Sequence, residues 1–301
     1  MALKQTAIVW CKAARAPFLV VSFIPSVLAG LIARYHGSVD LTLLSVVTLG
    51  VVMAHSAADF VDDYFDFKKG NLGNKQKQFH DSPLIDGAIT PRQVMVAAII
   101  CLAVAVATGI YALMVARTPV LYMMALGAFI VFFYTSPPFM LNYRGLGEAA
   151  LFIAFGPMIV AGIYYVLLGR FDWEPFLASL PLGIFTMNVG LVSNIFDHDD
   201  DVLSGKRTFP VRFGQAAAVR VLAMGSIVGF GVLIVGVVAG IMTPWALLGC
   251  LGAPLAAGVV RKTSLYPDTV HYTNAMTKAI ALTSVTGILL CVAYGIAGAV
   301  Q

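Results

Sequence analysis

Residues 193–214 read SNIFDHDDDVLSGKRTFPVRFG and stand between two long apolar runs. Asn194, Asp197 and Asp201 are spaced by three and then four residues, so on a helix their oxygens share one face. Asp199 and Asp200 add charge, and Lys206, Arg207 and Arg212 follow closely. Carboxylates this close repel one another unless a cation lies between them. An oxygen-only donor set suggests Mg²⁺, which keeps several waters and binds through a few carboxylates plus a substrate phosphate. The basic residues would hold the rest of that phosphate.

The pattern recurs upstream in Asp59-Phe-Val-Asp62-Asp63-Tyr-Phe-Asp66-Phe-Lys68-Lys69-Gly70. Asp59, Asp62 and Asp66 repeat the spacing, and a basic pair again trails the acids. Solvated helix ends in charged loops would explain one such cluster. Two with matching spacing point to a paired diphosphate–magnesium site.

Composition sets the surroundings. Of 301 residues, 59% are hydrophobic and only 11% charged, against about 25% charged in soluble domains. Nothing suggests a nucleic-acid partner. Apolar runs long enough for a bilayer core of about 30 Å fall at 17–33, 41–61, 92–116, 119–137, 146–168, 175–195, 215–239, 243–260 and 277–299. The expectation is an all-α polytopic membrane protein, one domain over 1–301, with nine spans of which the second and sixth lead into Asp-rich loops. The first run contains Pro17 and Pro25 and shows no cleavage-site pattern, so it reads as a span rather than a signal peptide. Cys11, Cys101, Cys250 and Cys291 are isolated and read as small hydrophobes.

Lysine and arginine set the orientation. With a cytoplasmic N-terminus, sixteen of them fall inside and only Arg34, Arg117 and Arg170 outside. Both acidic motifs then lie on the cytoplasmic face of the cell membrane. The loop 67–91, with Gly70, Gly73 and Gly87, could close over a bound headgroup. Pro137 and Pro138 stop the fourth span, leaving Arg144 and Glu148 at the membrane's inner edge, expected to face the interior. Trp173 and Trp245 read as interfacial anchors, and His198 as a hydrogen-bond partner of its acidic neighbours.

At these residues the chain resembles the UbiA family of intramembrane prenyltransferases. Asp63-Tyr-Phe-Asp66-Phe-Lys-Lys-Gly70, Tyr143-Arg-Gly-Leu-Gly-Glu148, Gly162-Ile-Tyr-Tyr165, Gly205-Lys-Arg-Thr208 and Val211-Arg-Phe-Gly214 are similar to its MenA branch, the dihydroxynaphthoate polyprenyltransferases, and Arg15-Ala-Pro17 fits the entry to the first helix. The resemblance implies a nine-helix bundle with two Asp-rich motifs on inside loops. Asp62 stands where relatives carry Asn, and His80 to Gly87 departs from the usual pattern of an Arg and a Ser-Gly.

Residues and resemblance agree on Mg²⁺-dependent transfer of a polyprenyl group from an isoprenyl diphosphate to an aromatic acceptor in the bilayer. Asp62, Asp63, Asp66, Asn194, Asp197 and Asp201 are the expected metal ligands, with Asp63, Asp66, Asp197 and Asp201 central to catalysis. Lys68, Arg144, Lys206 and Arg207 are the expected diphosphate contacts. Tyr134 and Tyr143, like Tyr64, Phe65 and Phe196, could offer aromatic faces to an allylic cation. Dihydroxynaphthoate is the expected acceptor, with hydroxybenzoate and geranylgeranylglyceryl phosphate as alternatives. A cation transporter with an acidic vestibule is the rival from another class; it calls for polar groups at mid-membrane, where these runs carry almost none.

Overall fold

The computed structural model describes residues 2–70, 82–116 and 118–300, with side chains described from Gln5 onward. No β-strand occurs among them. In chain order the helices are α1 (Ala2–Ala13), α2 (Val20–His36, entered by a 3₁₀ turn Ala16–Leu19), α3 (Leu41–Lys68), α4 (Pro91–Ala116), α5 (Thr118–Phe133) and α6 (Gly147–Ile153). A π turn, Ala154–Met158, joins α6 to α7 (Ile159–Leu168). Next come α8 (Trp173–Phe196), α9 (His198–Leu203), α10 (Phe209–Phe213) and α11 (Gln215–Val238). A 3₁₀ segment, Pro244–Gly252, precedes α12 (Ala253–Thr263), and α13 is Tyr272–Val300.

Eight helical stretches among the described residues are long and apolar enough to cross a membrane. The ninth expected span is α5, only 16 residues long, or about 24 Å at 1.5 Å per residue. The expectation placed its end at 137, but the backbone turns after Phe133. Nine full-length spans are therefore not established. The protein is a multi-pass, all-α membrane protein.

Burial shows which helices are central. In α8 the most apolar window is 61% buried, whereas in α4 only 11% is. Polar and small residues let α8 pack on all sides, and it contacts α6, α11 and α13. Leu28, Ile32, Tyr164, Leu182, Leu290 and Tyr294 form the core where α2, α7, α8 and α13 meet. Outward-facing Ile99, Ile100, Met114, Ile227, Val235 and Ile288 are exposed large apolar side chains, the inverse of a soluble surface and suited to lipid contact. Trp173 and Trp245 are exposed at helix starts, as interfacial anchors require.

Local chemistry fixes the helix ends that matter. Asp40 caps α3, its Oδ1 accepting from the amides of Thr42 and Leu43 at 2.8 and 3.1 Å. Gly156 meets Gly183 so closely that a Cβ would lie 2.9 Å from the Gly183 Cα. Only glycines allow this approach of the π turn to α8.

Two expectations about loops change. The first acidic stretch is not a loop: α3 continues to Lys68, so Asp59 to Asp66 lie within its last three turns. Neighbouring cations neutralise these carboxylates, as described below, which lets the helix extend past the apolar run. The second stretch divides between the last turn of α8 and the short α9. Of the expected lid over 67–91, residues 71–81 lie outside the described residues, including His80 and Asp81. The portion that follows packs down, with Leu84 and Ile89 buried against Phe60, Val61 and Val94.

Candidate active site

Both acidic stretches come to one end of the bundle and flank a single cavity of about 310 Å³. Arg15, Asp59, Asp62, Asn194 and Lys206 line its polar end, and Val51, Ile130, Leu151, Phe155 and Met158 continue it as an apolar chamber.

Arg15 organises the first motif. Its backbone is left-handed (φ 45°) between α1 and the 3₁₀ turn, which aims the side chain at the end of α3. The guanidinium makes a close contact with Asp63, lies 3.4 Å from Asp62 Oδ2 and 3.8 Å from Asp59 Oδ1. Burial opposes its charge, but the fields of Asp63, Asp59 and Asp62 outweigh burial and hold its pKa well above the ordinary arginine value.

Asp66 has a different cation. Lys206 Nζ lies 2.9 Å from Asp66 Oδ2, and the Tyr143 hydroxyl donates to Oδ1 at 2.8 Å. Gly205, with φ +75°, allows the turn after α9 that presents Lys206. The ring of Tyr143 has Lys69 Nζ at 3.7 Å from its centroid and Lys206 Nζ at 4.8 Å, a doubly cationic face. Gly145 brings this loop against the second motif: a Cβ there would lie 2.8 Å from the Arg207 carbonyl.

Neutral donors reach the second motif. Asn194 donates to Glu148 Oε1 at 3.0 Å, and Ser193 Oγ to Asp197 Oδ2 at 3.0 Å. Ser193 also meets the Tyr272 hydroxyl at 3.1 Å, and the Thr208 hydroxyl donates to Asp201 Oδ2 at 3.3 Å. His198 pairs with Asp199 at 2.8 Å, the hydrogen-bonding role its neighbours suggest.

The expected site residues thus divide. Asp62, Asn194, Lys206 and Tyr134 line the cavity. Asp63, Asp66 and Tyr143 are buried beside it, and Asp197 and Asp201 in the turn beneath. Three expected diphosphate contacts are not brought in. Lys68 is exposed with its ammonium over the Tyr64 ring at 4.6 Å, because two residues beyond Asp66 a helix faces elsewhere. Arg144 is exposed and donates to the Pro138 carbonyl at 2.9 Å, while Glu148 alone of that pair turns inward. Arg207 is exposed and contributes its amide, which donates to the Tyr143 carbonyl at 3.0 Å. Spacing does not reveal the role of Arg15, which is 48 positions from Asp63. Its signal is a lone cation immediately before an apolar helix. Asp59, named in the spacing but not among the expected ligands, also reaches the cavity, as do His55, Ser193 and Tyr272, which were not singled out as site residues.

The donor set suits Mg²⁺. Asp62, Asp63 and Asp66 from the first motif and Asn194, Asp197 and Asp201 from the second bring carboxylate and amide oxygens to this end of the bundle, the ligand type this ion takes. No group of three His, Cys, Asp or Glu among the described residues forms a ready cage.

The UbiA prenyltransferase family model matches residues 23–280. The chain belongs to the UbiA prenyltransferase family. It is therefore a prenyltransferase of the membrane. Among similar proteins in this family is the 1,4-dihydroxy-2-naphthoate octaprenyltransferase of Mycobacterium tuberculosis, 30% identical over 84% of this chain and 86% of that protein. The Bacillus subtilis protein of the same name is 24% identical over 81% of this chain and 78% of its own length. In fold, the chain is similar to an apo UbiA homologue from Aeropyrum pernix K1 (TM-score 0.71, 17% identity, 92% of this chain and 97% of that one). A UbiA homologue from Archaeoglobus fulgidus, solved with GPP and Mg²⁺, aligns with TM-score 0.57 and 12% identity over 97% and 99% of the chains.

Proposed function

We propose that this prenyltransferase moves a polyprenyl group from an isoprenyl diphosphate to dihydroxynaphthoate, in a Mg²⁺-dependent reaction at the cytoplasmic face of the cell membrane. The observation that carries this reading is the single cavity whose polar end is flanked by both acidic motifs and whose remainder is apolar. A diphosphate matches the first part and a polyprenyl tail the second.

Magnesium held by Asp62, Asp63 and Asp66 on one side and Asn194, Asp197 and Asp201 on the other would neutralise the departing diphosphate. Lys206, buried and poised between Asp66 and the cavity, adds a fixed positive charge toward that leaving group. Arg15 keeps the first motif assembled before substrate arrives. Tyr134 offers an aromatic face to the allylic carbon as positive charge develops there. The apolar walls exclude water, which would otherwise capture the allylic cation as an alcohol.

Dihydroxynaphthoate as acceptor is supported by the relatives that carry it in their names. The cytoplasmic placement is supported by the sixteen-to-three lysine and arginine bias. The test is transfer of labelled geranylgeranyl diphosphate by purified protein, offered dihydroxynaphthoate, hydroxybenzoate and geranylgeranylglyceryl phosphate in parallel. Product with dihydroxynaphthoate alone supports the reading, and product only with another acceptor replaces it.

A further inference from the structure

We propose that His55 is the base that accepts the acceptor's hydroxyl proton, with Asp59 as the carboxylate that stabilises the resulting imidazolium; this rests on the reading of the cavity as a prenyl-transfer site. His55 lies one turn before Asp59 on α3, and both line the cavity. Its ring is held edge-on by Phe155, centroids 4.7 Å apart. Phe155 is carried by the π turn between α6 and α7, a distortion that often marks functional positions.

The hydrogen bonds favour one tautomer. Ser22 Oγ donates its one proton to the Leu19 carbonyl at 2.9 Å, and His55 Nδ1 lies 3.0 Å from that same oxygen. With that proton on the Leu19 carbonyl, Nδ1 is the donor to Oγ, which leaves Nε2 of the neutral ring as the basic nitrogen. Nε2 lies 3.7 Å from Asp59 Oδ2. That oxygen is buried and has no hydrogen-bond donor among the described residues. Protonation of Nε2 would supply it with one.

Arg15, Asp59 and Asp62 are charged groups that share this end of the cavity with the ring. Arg15 opposes a second positive charge, but its closest contact is with Asp63, and its approach to Asp59 is to the other oxygen, Oδ1. Asp62 adds a second carboxylate to the same end of the cavity. From α2 and the π turn the ring meets the Ser22 hydroxyl and an aromatic edge.

The chemistry balances. A ring hydroxyl of the acceptor gives its proton to Nε2, and the electron-rich ring carbon bonds to the allylic carbon. The allylic C–O bond breaks with its electron pair leaving on the diphosphate. When the attacked carbon bears a carboxylate, carbon dioxide departs, the electron pair returns to the ring and its oxygen, and Nε2 gives the proton back. His55 ends as it began.

The experiment compares wild type with His55→Gln and Ser22→Ala, measuring prenyl transfer to dihydroxynaphthoate from pH 5 to 9, binding of geranylgeranyl diphosphate, and melting temperature. Glutamine can still donate to Ser22 but cannot accept a proton, so kcat should fall about 10²-fold or more. Diphosphate binding and melting should stay near wild type, and the acidic limb of the pH profile should disappear. Ser22→Ala should show a smaller loss with a displaced limb. A His55→Gln enzyme within about tenfold of wild-type kcat, or one keeping the acidic limb, would overturn the assignment. So would a parallel loss of diphosphate binding and melting temperature, which would make the ring a packing element. A wild type that prenylates no acceptor overturns the functional reading and the base together, whereas an active wild type with an unaltered variant overturns the base alone.

Discussion

Lys206 Nζ and Asp66 Oδ2, 140 positions apart in the chain, meet at 2.9 Å with both side chains sealed from solvent. This ion pair locks the end of α3 to the turn after α9, and so joins the two acidic motifs. Leaving one charge unpaired in that setting is expensive. Lys206→Ala should destabilise the fold by about 3–5 kcal/mol, read as a lowered melting temperature in detergent. The double variant Asp66→Leu/Lys206→Met should melt above Lys206→Ala, because no orphaned charge remains, yet it should lose diphosphate binding.

Arg15 makes a separable prediction. Without its guanidinium, Asp59, Asp62 and Asp63 repel one another at the end of α3. Arg15→Gln should lower the melting temperature, and millimolar MgCl₂ should restore part of the loss. KCl of equal ionic strength should restore much less, since screening cannot replace a cation within the cluster. Equal recovery in both salts would show that the acids do not gather a divalent ion.

At the opposite end of the bundle, Glu174 joins three elements. Its Oε1 accepts from the Tyr294 hydroxyl at 2.7 Å and the Thr243 amide at 3.2 Å, and Oε2 lies 2.6 Å from His36 Nε2. Glu174→Ala strips a buried network of its acceptor and should cost about 3–5 kcal/mol. Turnover per folded molecule, measured below the melting transition, should be unchanged, because none of these residues borders the cavity.

The contact of Gly156 with Gly183 predicts a packing defect. An added Cβ at Gly156 would lie 2.9 Å from the Gly183 Cα and 3.0 Å from the Ser179 carbonyl, and neither backbone atom can swing aside. Gly156→Ala should cost about 1–3 kcal/mol. It should also displace Phe155, seen as weaker prenyl transfer at temperatures where the variant remains folded.

The apolar runs and the Asp spacing were legible in the sequence because both follow helical periodicity, which is local. Seven of the nine expected spans have helical counterparts shifted by only a few residues, but α3 outruns its apolar stretch and α5 stops short. Charge neutralisation explains the first: Arg15 and Lys206 arrive from distant positions and let the acids remain helical. Lys206 was legible as a cation near the acidic motifs from its place after the second one, and it does line the cavity. Lys68, Arg144 and Arg207 carry the same charge close by in sequence, yet side-chain direction on a turn decides which cation faces inward. His55 and Arg15 were the hardest to see, since each gains its partners only when α2, α3 and the π turn come together.

The most direct test of the central claim is transfer of radiolabelled geranylgeranyl diphosphate to dihydroxynaphthoate by the purified protein, with and without chelator, in wild type and in Asp63→Asn and Asp197→Asn variants that melt like wild type. The account predicts a prenylated product that disappears with chelator, returns with Mg²⁺, and falls by about 10²-fold or more in either variant. Product formed equally well in chelator, or at wild-type rate by both variants, would contradict it.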